Sequence, residues 1–184
     1  MLAGFWQYFD WQPGMGDPSL MGWLTVAAYY ATALLCWLAA RRAARPGRAV
    51  WHILALLMAV LGLVKQWNLL SAVTAAGRAL ALAQDWYAGR QALQLLCVAG
   101  VALPALLLLV WGVRRARGGW RASWLPLLGL LYLLAFVLVR ATSLHQVDAL
   151  LSLAPAGVRL NWLLEWLGIG LVAVPAGQFL RKAG

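Results

Sequence analysis

The sequence predicts an all-α integral membrane protein, a single domain over 1–184 built as a bundle of five transmembrane helices. The amino terminus is expected outside, the carboxyl terminus in the cytoplasm, and an amphipathic outer segment between helices two and three. Three observations predict this. Hydrophobic residues make up 64% of the 184 and charged ones 11%, against about a half and a quarter in soluble domains. The apolar residues gather into five stretches, 20–40, 49–69, 92–113, 123–139 (continuing past Arg140) and 160–180, each near the roughly 20 helical residues that cross a ~30 Å hydrocarbon core. They are continuous, rich in Leu and Ala, and lack the period-two alternation of barrel strands, so helices are expected. The third observation is a one-sided distribution of charge.

Residues 1–18 hold Phe5, Trp6, Tyr8, Phe9 and Trp11 but no Lys or Arg, so they lack the basic start of a signal peptide. They are expected to be retained, lying in the headgroup region where one side of an aromatic ring is apolar and the other wet. After the first stretch come Arg41, Arg42, Arg45 and Arg48; between the third and fourth come Arg114, Arg115, Arg117 and Arg121; after the fifth come Arg181 and Lys182. No acid lies among these ten. Elsewhere Lys65, Arg78, Arg90, Arg140 and Arg159 face Asp10, Asp17, Asp85, Asp148 and Glu165, so the net charge of +10 sits on one side. Basic loops stay cytoplasmic during insertion, which fixes the expected orientation. The basic turns are short and adjoin membrane spans, so a pI near 10.9 points to anionic inner-leaflet lipids as partners and away from nucleic acid. The plasma membrane, bacterial inner membrane for preference, is the expected location.

The remaining polar groups gather on the outer side. Ionisable groups at membrane depth are expensive and mark candidate functional positions. In the second stretch an apolar run from Val50 to Val64 is followed by Lys65, Gln66 and Asn68, and Lys65 and Asn68, three apart, would share a helical face. In the outer segment 71–91, Arg78 and Asp85 are seven apart on one face, while Tyr87 and Gln91 share another beside Arg90. The fourth stretch ends in the densest polar set, Arg140, Thr142, Ser143, His145, Gln146 and Asp148. Asp148 lies three residues from His145 and could hold its imidazole and raise its pKa, which would suit an acid–base group. Ser143 is two residues from His145 and points elsewhere on a helix, so a Ser-His-Asp triad is geometrically poor. On the fifth stretch Asn161, Glu165 and Gly168 fall at i, i+4 and i+7, a polar and small face suited to close helix approach. Glu165, if ionised, needs a cation, and Arg140 and Lys65 are the candidates at its depth. Arg159, Trp162 and Trp166 form the opposite stripe and read as an interfacial anchor with a cation–π contact.

These residues are expected to form an outward-opening pocket between the second, fourth and fifth helices. Lys65, Arg140, His145 and Glu165 would line it, with Asn68, Ser143 and Asn161 adding polar contacts and Arg78, Asp85, Tyr87 and Arg90 above as a lid. The leading functional expectation is a non-catalytic membrane component, either an accessory subunit of a larger assembly or a binder of an anionic amphiphile of lipid or quinone type. The alternative is a membrane-embedded enzyme acting on a lipid-linked substrate at the extracytoplasmic face, with His145 as acid or base and Asp148 orienting it. A second alternative is an ion or proton pathway through Glu165, although His52 is almost the only polar group in the inner halves of the stretches. No cofactor or metal is expected: Cys36 and Cys97 form no cluster, and His52 and His145 lie at opposite surfaces, on the order of 20–30 Å apart, too far to share a haem.

Overall fold

The computed structural model describes residues 6–12, 14, 17–45, 47–83, 103, 107, 110, 114, 120–141 and 159–183. The described residues are helical or loop, with no strand among them. Five helices are described at length: α1 Leu20–Arg42, α2 Gly47–Gln66, α3 Leu69–Ala83, α4 Trp120–Ala141 and α5 Leu160–Lys182.

Helix α1 starts where Ser19 accepts the Gly22 amide on its hydroxyl at 3.1 Å and donates its own amide to Asp17 Oδ1 at 3.2 Å, so two polar side chains hold the first turn. A side chain at position 22 would run into the Asp17 carbonyl, which explains glycine there. Its buried stripe is Gly22, Thr25, Val26, Tyr29, Thr32, Ala33, Cys36, Ala39 and Ala40, small or polar residues at helical spacing. Its outer face carries Leu20, Trp23, Leu24, Leu34, Trp37 and Leu38. Large apolar groups outside and small or polar ones inside is the arrangement of a helix packed in lipid, where close approach and polar contacts hold helices together. The inward hydroxyls are satisfied locally: Thr25 donates to the Met21 carbonyl at 2.6 Å and Thr32 to that of Ala28 at 2.7 Å, the usual i−4 bond.

A short turn folds α2 back against α1. Val50, Trp51, Leu54, Leu57, Met58, Leu61 and Gly62 face inward, and Gly62 lets Tyr29 approach closely, a Cβ there meeting the tyrosine Cβ at 3.1 Å. The second apolar stretch was expected to run helical to 69, but α2 stops at Gln66. Asn68 adopts φ of 49°, a left-handed conformation that asparagine tolerates better than most residues and that breaks helical continuity. Its carbonyl accepts the Ser71 amide at 3.0 Å and hydroxyl at 2.7 Å, starting α3. Lys65 and Asn68 therefore do not share a helical face. We expect Asn68→Gly to leave stability unchanged or raise it, and Asn68→Val to lower it by about 1–2 kcal/mol, read as the unfolding midpoint in mild detergent.

Helix α5 runs parallel to α1 and antiparallel to α4. Close approach to α4 depends on two glycines facing opposite ways across the seam: Gly129 against Leu171 and Val172, and Gly168 against Leu133 and Tyr132. The core comprises Trp51, Tyr29, Leu54, Met58, Leu130, Leu133 and Val172, with Trp51 and Phe179 rings 5.5 Å apart. The carboxyl ends of α1 and α5 and the start of α2 lie together, Arg42 Nη1 reaching the Leu180 carbonyl at 3.1 Å. At this end Arg41, Arg42, Arg45, Arg48, Arg181 and Lys182 are all exposed.

By length and composition α1, α2 and α5 are each able to cross a membrane, with mean hydropathies of 1.5, 1.9 and 1.5, matching the first, second and fifth expected spans. Helix α4 covers the fourth stretch, although its described apolar run, Trp124–Val137, is shorter than a crossing. The expected third span at 92–113 lies outside the described residues except for Leu103, Leu107 and Val110, which are helical and exposed. In the aromatic segment Trp6 and Tyr8 are exposed, and Trp6 meets Phe9 edge-on at 5.9 Å.

Candidate functional site

Three helices deliver one charged cluster to the end of the bundle opposite the arginines. Glu165, one and a half turns into α5, is buried at 4% exposure. Lys65 in the last turn of α2 donates from Nζ to its Oε2 at 2.5 Å, and Tyr29 on α1 donates from Oη to Oε1 at 3.0 Å. Each carboxylate oxygen thus has a partner. That matters, because a charge taken out of water costs several kcal/mol unless it is paired and its lone pairs are met. The lysine side chain keeps 15% exposure against 6% for the glutamate, so the carboxylate is the more enclosed of the two.

Two indoles tie α5 to α1 around this centre. Trp166 Nε1 donates to Thr25 Oγ1 at 3.1 Å, and Trp162 Nε1 donates to Asp17 Oδ2 at 2.9 Å. Arg159 lies over the Trp162 ring at 5.4 Å, the cation–π contact expected from the sequence. On the exposed flank Tyr30 Oη donates to Gln66 Oε1 at 3.0 Å. Partial burial pushes the Asp17 carboxyl upward, but hydrogen bonds from the Ser19 hydroxyl, the Trp162 indole and the Ser19 amide, with the Lys65 charge, outweigh it and hold the pKa below 3.8. A depressed carboxyl stabilises the folded form above its unfolded pKa and loses that contribution as pH falls through the folded value. The junction before α1 is therefore expected to loosen below about pH 3.8, and Asp17→Asn to abolish this acid step, measured as amide hydrogen exchange at Ser19 and Gly22.

The residues expected to form a site divide into three groups. Lys65 and Glu165 meet directly, and Lys65 is the cation that Glu165 was expected to need. Asn68 sits in the α2–α3 turn, Asn161 is half-buried one turn outward of Glu165, Arg78 belongs to α3 and Arg140 to the last turn of α4. The antiparallel register set by Gly129 beside Val172 and Gly168 beside Leu133 carries the backbone at Arg140 to the level of Asn161. Asp85, Tyr87, Arg90, Ser143, His145 and Asp148 lie outside the described residues.

Helix α1 also walls the charged cluster, through Tyr29. Tyr29, Thr25 and Asp17 were not anticipated. A signal was present, since Thr25, Tyr29 and Thr32 fall at i, i+4 and i+7 on one face of an otherwise apolar helix. Trp162 and Trp166 were expected to serve as interfacial anchors, yet both point their N–H groups at α1 or its preceding loop.

Chemically, the centre is a positioned carboxylate with both oxygens occupied, paired with a lysine less deeply buried than itself. Among the described residues no group of three His, Cys, Asp or Glu could hold a metal ion. Comparison with protein-family models, with curated proteins and with solved structures finds no significant match.

Proposed function

We propose that this chain is a non-catalytic, five-span component of a bacterial inner membrane that receives the anionic head of an amphiphile of lipid or quinone type at its extracytoplasmic side. The observation that carries this reading is the Lys65–Glu165–Tyr29 cluster. A buried carboxylate fixes the position of a lysine, and an ammonium has three donors with which to make charge-assisted hydrogen bonds. Arg140 in the last turn of α4 is the second cation of the proposed site.

The five-span topology has geometric support. Helix α2 ends beside Glu165, whereas α4, antiparallel to α5, begins toward the arginine end. Between Gln66 and Trp120 the chain must return from one end to the other, and the apolar stretch 92–113 is long enough to do so. Segregation of cations at the other end supports amino terminus outside and carboxyl terminus in the cytoplasm.

The test is native mass spectrometry, with lipid extraction, on protein taken gently from its own membrane. Wild type is compared with Arg140→Ala and with Lys65→Met/Glu165→Leu, a double substitution that leaves no unpaired charge. A defined small molecule should accompany wild type and be depleted at least tenfold in both variants, since a hydrogen bond to a charged group is worth about 1.5–3 kcal/mol. A protein partner accompanying all three forms, with no small molecule on wild type, would replace this reading with that of an accessory subunit.

A further inference from the structure

The opposite end of the bundle carries a second site, independent of the first. We infer that the junction of the α1–α2 turn with the end of α5 binds an anionic phospholipid, with a two-phosphate headgroup preferred over a single phosphate.

Six exposed cations meet there, Arg41, Arg42, Arg45 and Arg48 from one side and Arg181 and Lys182 from the other. The described acids Asp10, Asp17 and Glu165 belong to the amino-terminal segment or to the Glu165 end, so none offsets these charges. Several of the cations are held in place. The Arg42 guanidinium spans the seam to the Leu180 carbonyl at 3.1 Å, drawing the turn and the α5 end together. Arg48 Nε donates to the Ala43 carbonyl at 3.2 Å, and Arg41 lies over the Trp37 ring at 4.9 Å. A guanidinium with one N–H committed to backbone still presents others for a phosphate, and its planar fork suits two oxygens at once. Fixing the side chains beforehand lowers the entropic cost of binding.

The surface next to these charges identifies the ligand as an amphiphile. One to two turns inward of Arg41, α1 exposes Leu34, Trp37 and Leu38, and two turns inward of Arg181, α5 exposes Val174. A charged rim continuing into apolar helix surface accommodates phosphate above and acyl chain below, which neither a free anion nor a nucleic acid would use. The charge also argues for two phosphates. Cations gathered on both sides of the Arg42–Leu180 contact repel one another, and a two-phosphate lipid spanning that seam neutralises both sides while losing the translational freedom of one molecule.

The inference is tested with delipidated protein in detergent, titrated separately with diphosphatidylglycerol, phosphatidylglycerol and phosphatidylcholine and read by native mass spectrometry. Wild type should favour diphosphatidylglycerol over phosphatidylcholine by on the order of a hundredfold, at about fivefold per engaged cation, with phosphatidylglycerol between them. Neutralising three exposed cations, Arg45→Gln/Arg181→Gln/Lys182→Gln, should bring the preference close to parity. The charge-conserving Arg45→Lys/Arg181→Lys should retain most of it, which separates loss of charge from loss of fold. Equal retention of the three lipids by wild type, or an unchanged preference in the neutralised variant, would overturn the inference. So would complete displacement of the lipid by millimolar inorganic phosphate, which would make the site one for free anions.

Discussion

Lys65→Met is expected to destabilise the protein by about 3–5 kcal/mol, because it removes the ammonium that pairs with the buried Glu165 carboxylate. Glu165 is 4% exposed, so water cannot replace the ammonium at 2.5 Å. Glu165→Leu alone should cost somewhat less, since Lys65 keeps 15% exposure and its flexible stem can carry the charge outward. The double variant Lys65→Met/Glu165→Leu should recover most of the loss, as buried ion pairs replaced by apolar residues of similar volume are often neutral. Tyr29→Phe removes one hydrogen bond to a charged acceptor and should cost about 1.5–3 kcal/mol. Reversible unfolding in mixed detergent micelles measures all four. If Lys65→Met were as stable as wild type, the pair would hold nothing together.

The second large effect lies across the α4–α5 seam. A Cβ at position 129 would fall 2.7 Å from Leu171 Cβ and 3.0 Å from the Leu171 carbonyl carbon, and neither atom can move without the α5 backbone. Gly129→Val should therefore separate the two helices and cost about 3 kcal/mol, the upper end of ordinary overpacking. At Gly168 the nearest atom is Leu133 Cδ2 at 2.5 Å, the far end of a side chain with other rotamers, so Gly168→Ala should be milder than Gly129→Ala. Hydrogen exchange along α4 reports the separation directly: protection should fall in Gly129→Val while α1 and α2 stay protected.

The ends of α1 and α5 were legible in the sequence to within two residues, because transfer of apolar side chains from water decides them locally. The end of α2 was misplaced by three because Leu69 and Leu70 are apolar, and hydropathy does not register the backbone reversal at Asn68. The candidate site was legible in part. Glu165 announced a need for a cation through its depth, but its meeting with Lys65 depends on which helices are neighbours, and spacing within one helix carries no such information. Tyr29 was missed because its neighbours made α1 look uniformly apolar, although its polar residues share one face. The tryptophans misled for a physical reason: an indole has the same amphipathic character whether its N–H meets a headgroup or a threonine on the next helix.

The pairing of Lys65 with Glu165 has a consequence for biogenesis. The two residues are separated by 100 positions, so at elongation rates of about 5–20 residues per second the lysine waits roughly 5–20 s for its carboxylate. During that interval the α1–α2 hairpin holds a cation and a tyrosine whose carboxylate partner on α5 has yet to arrive. A nascent chain stalled before α5 would expose this combination inside the bilayer, where a quality-control protease or an insertase could distinguish it from a chain whose α5 has docked.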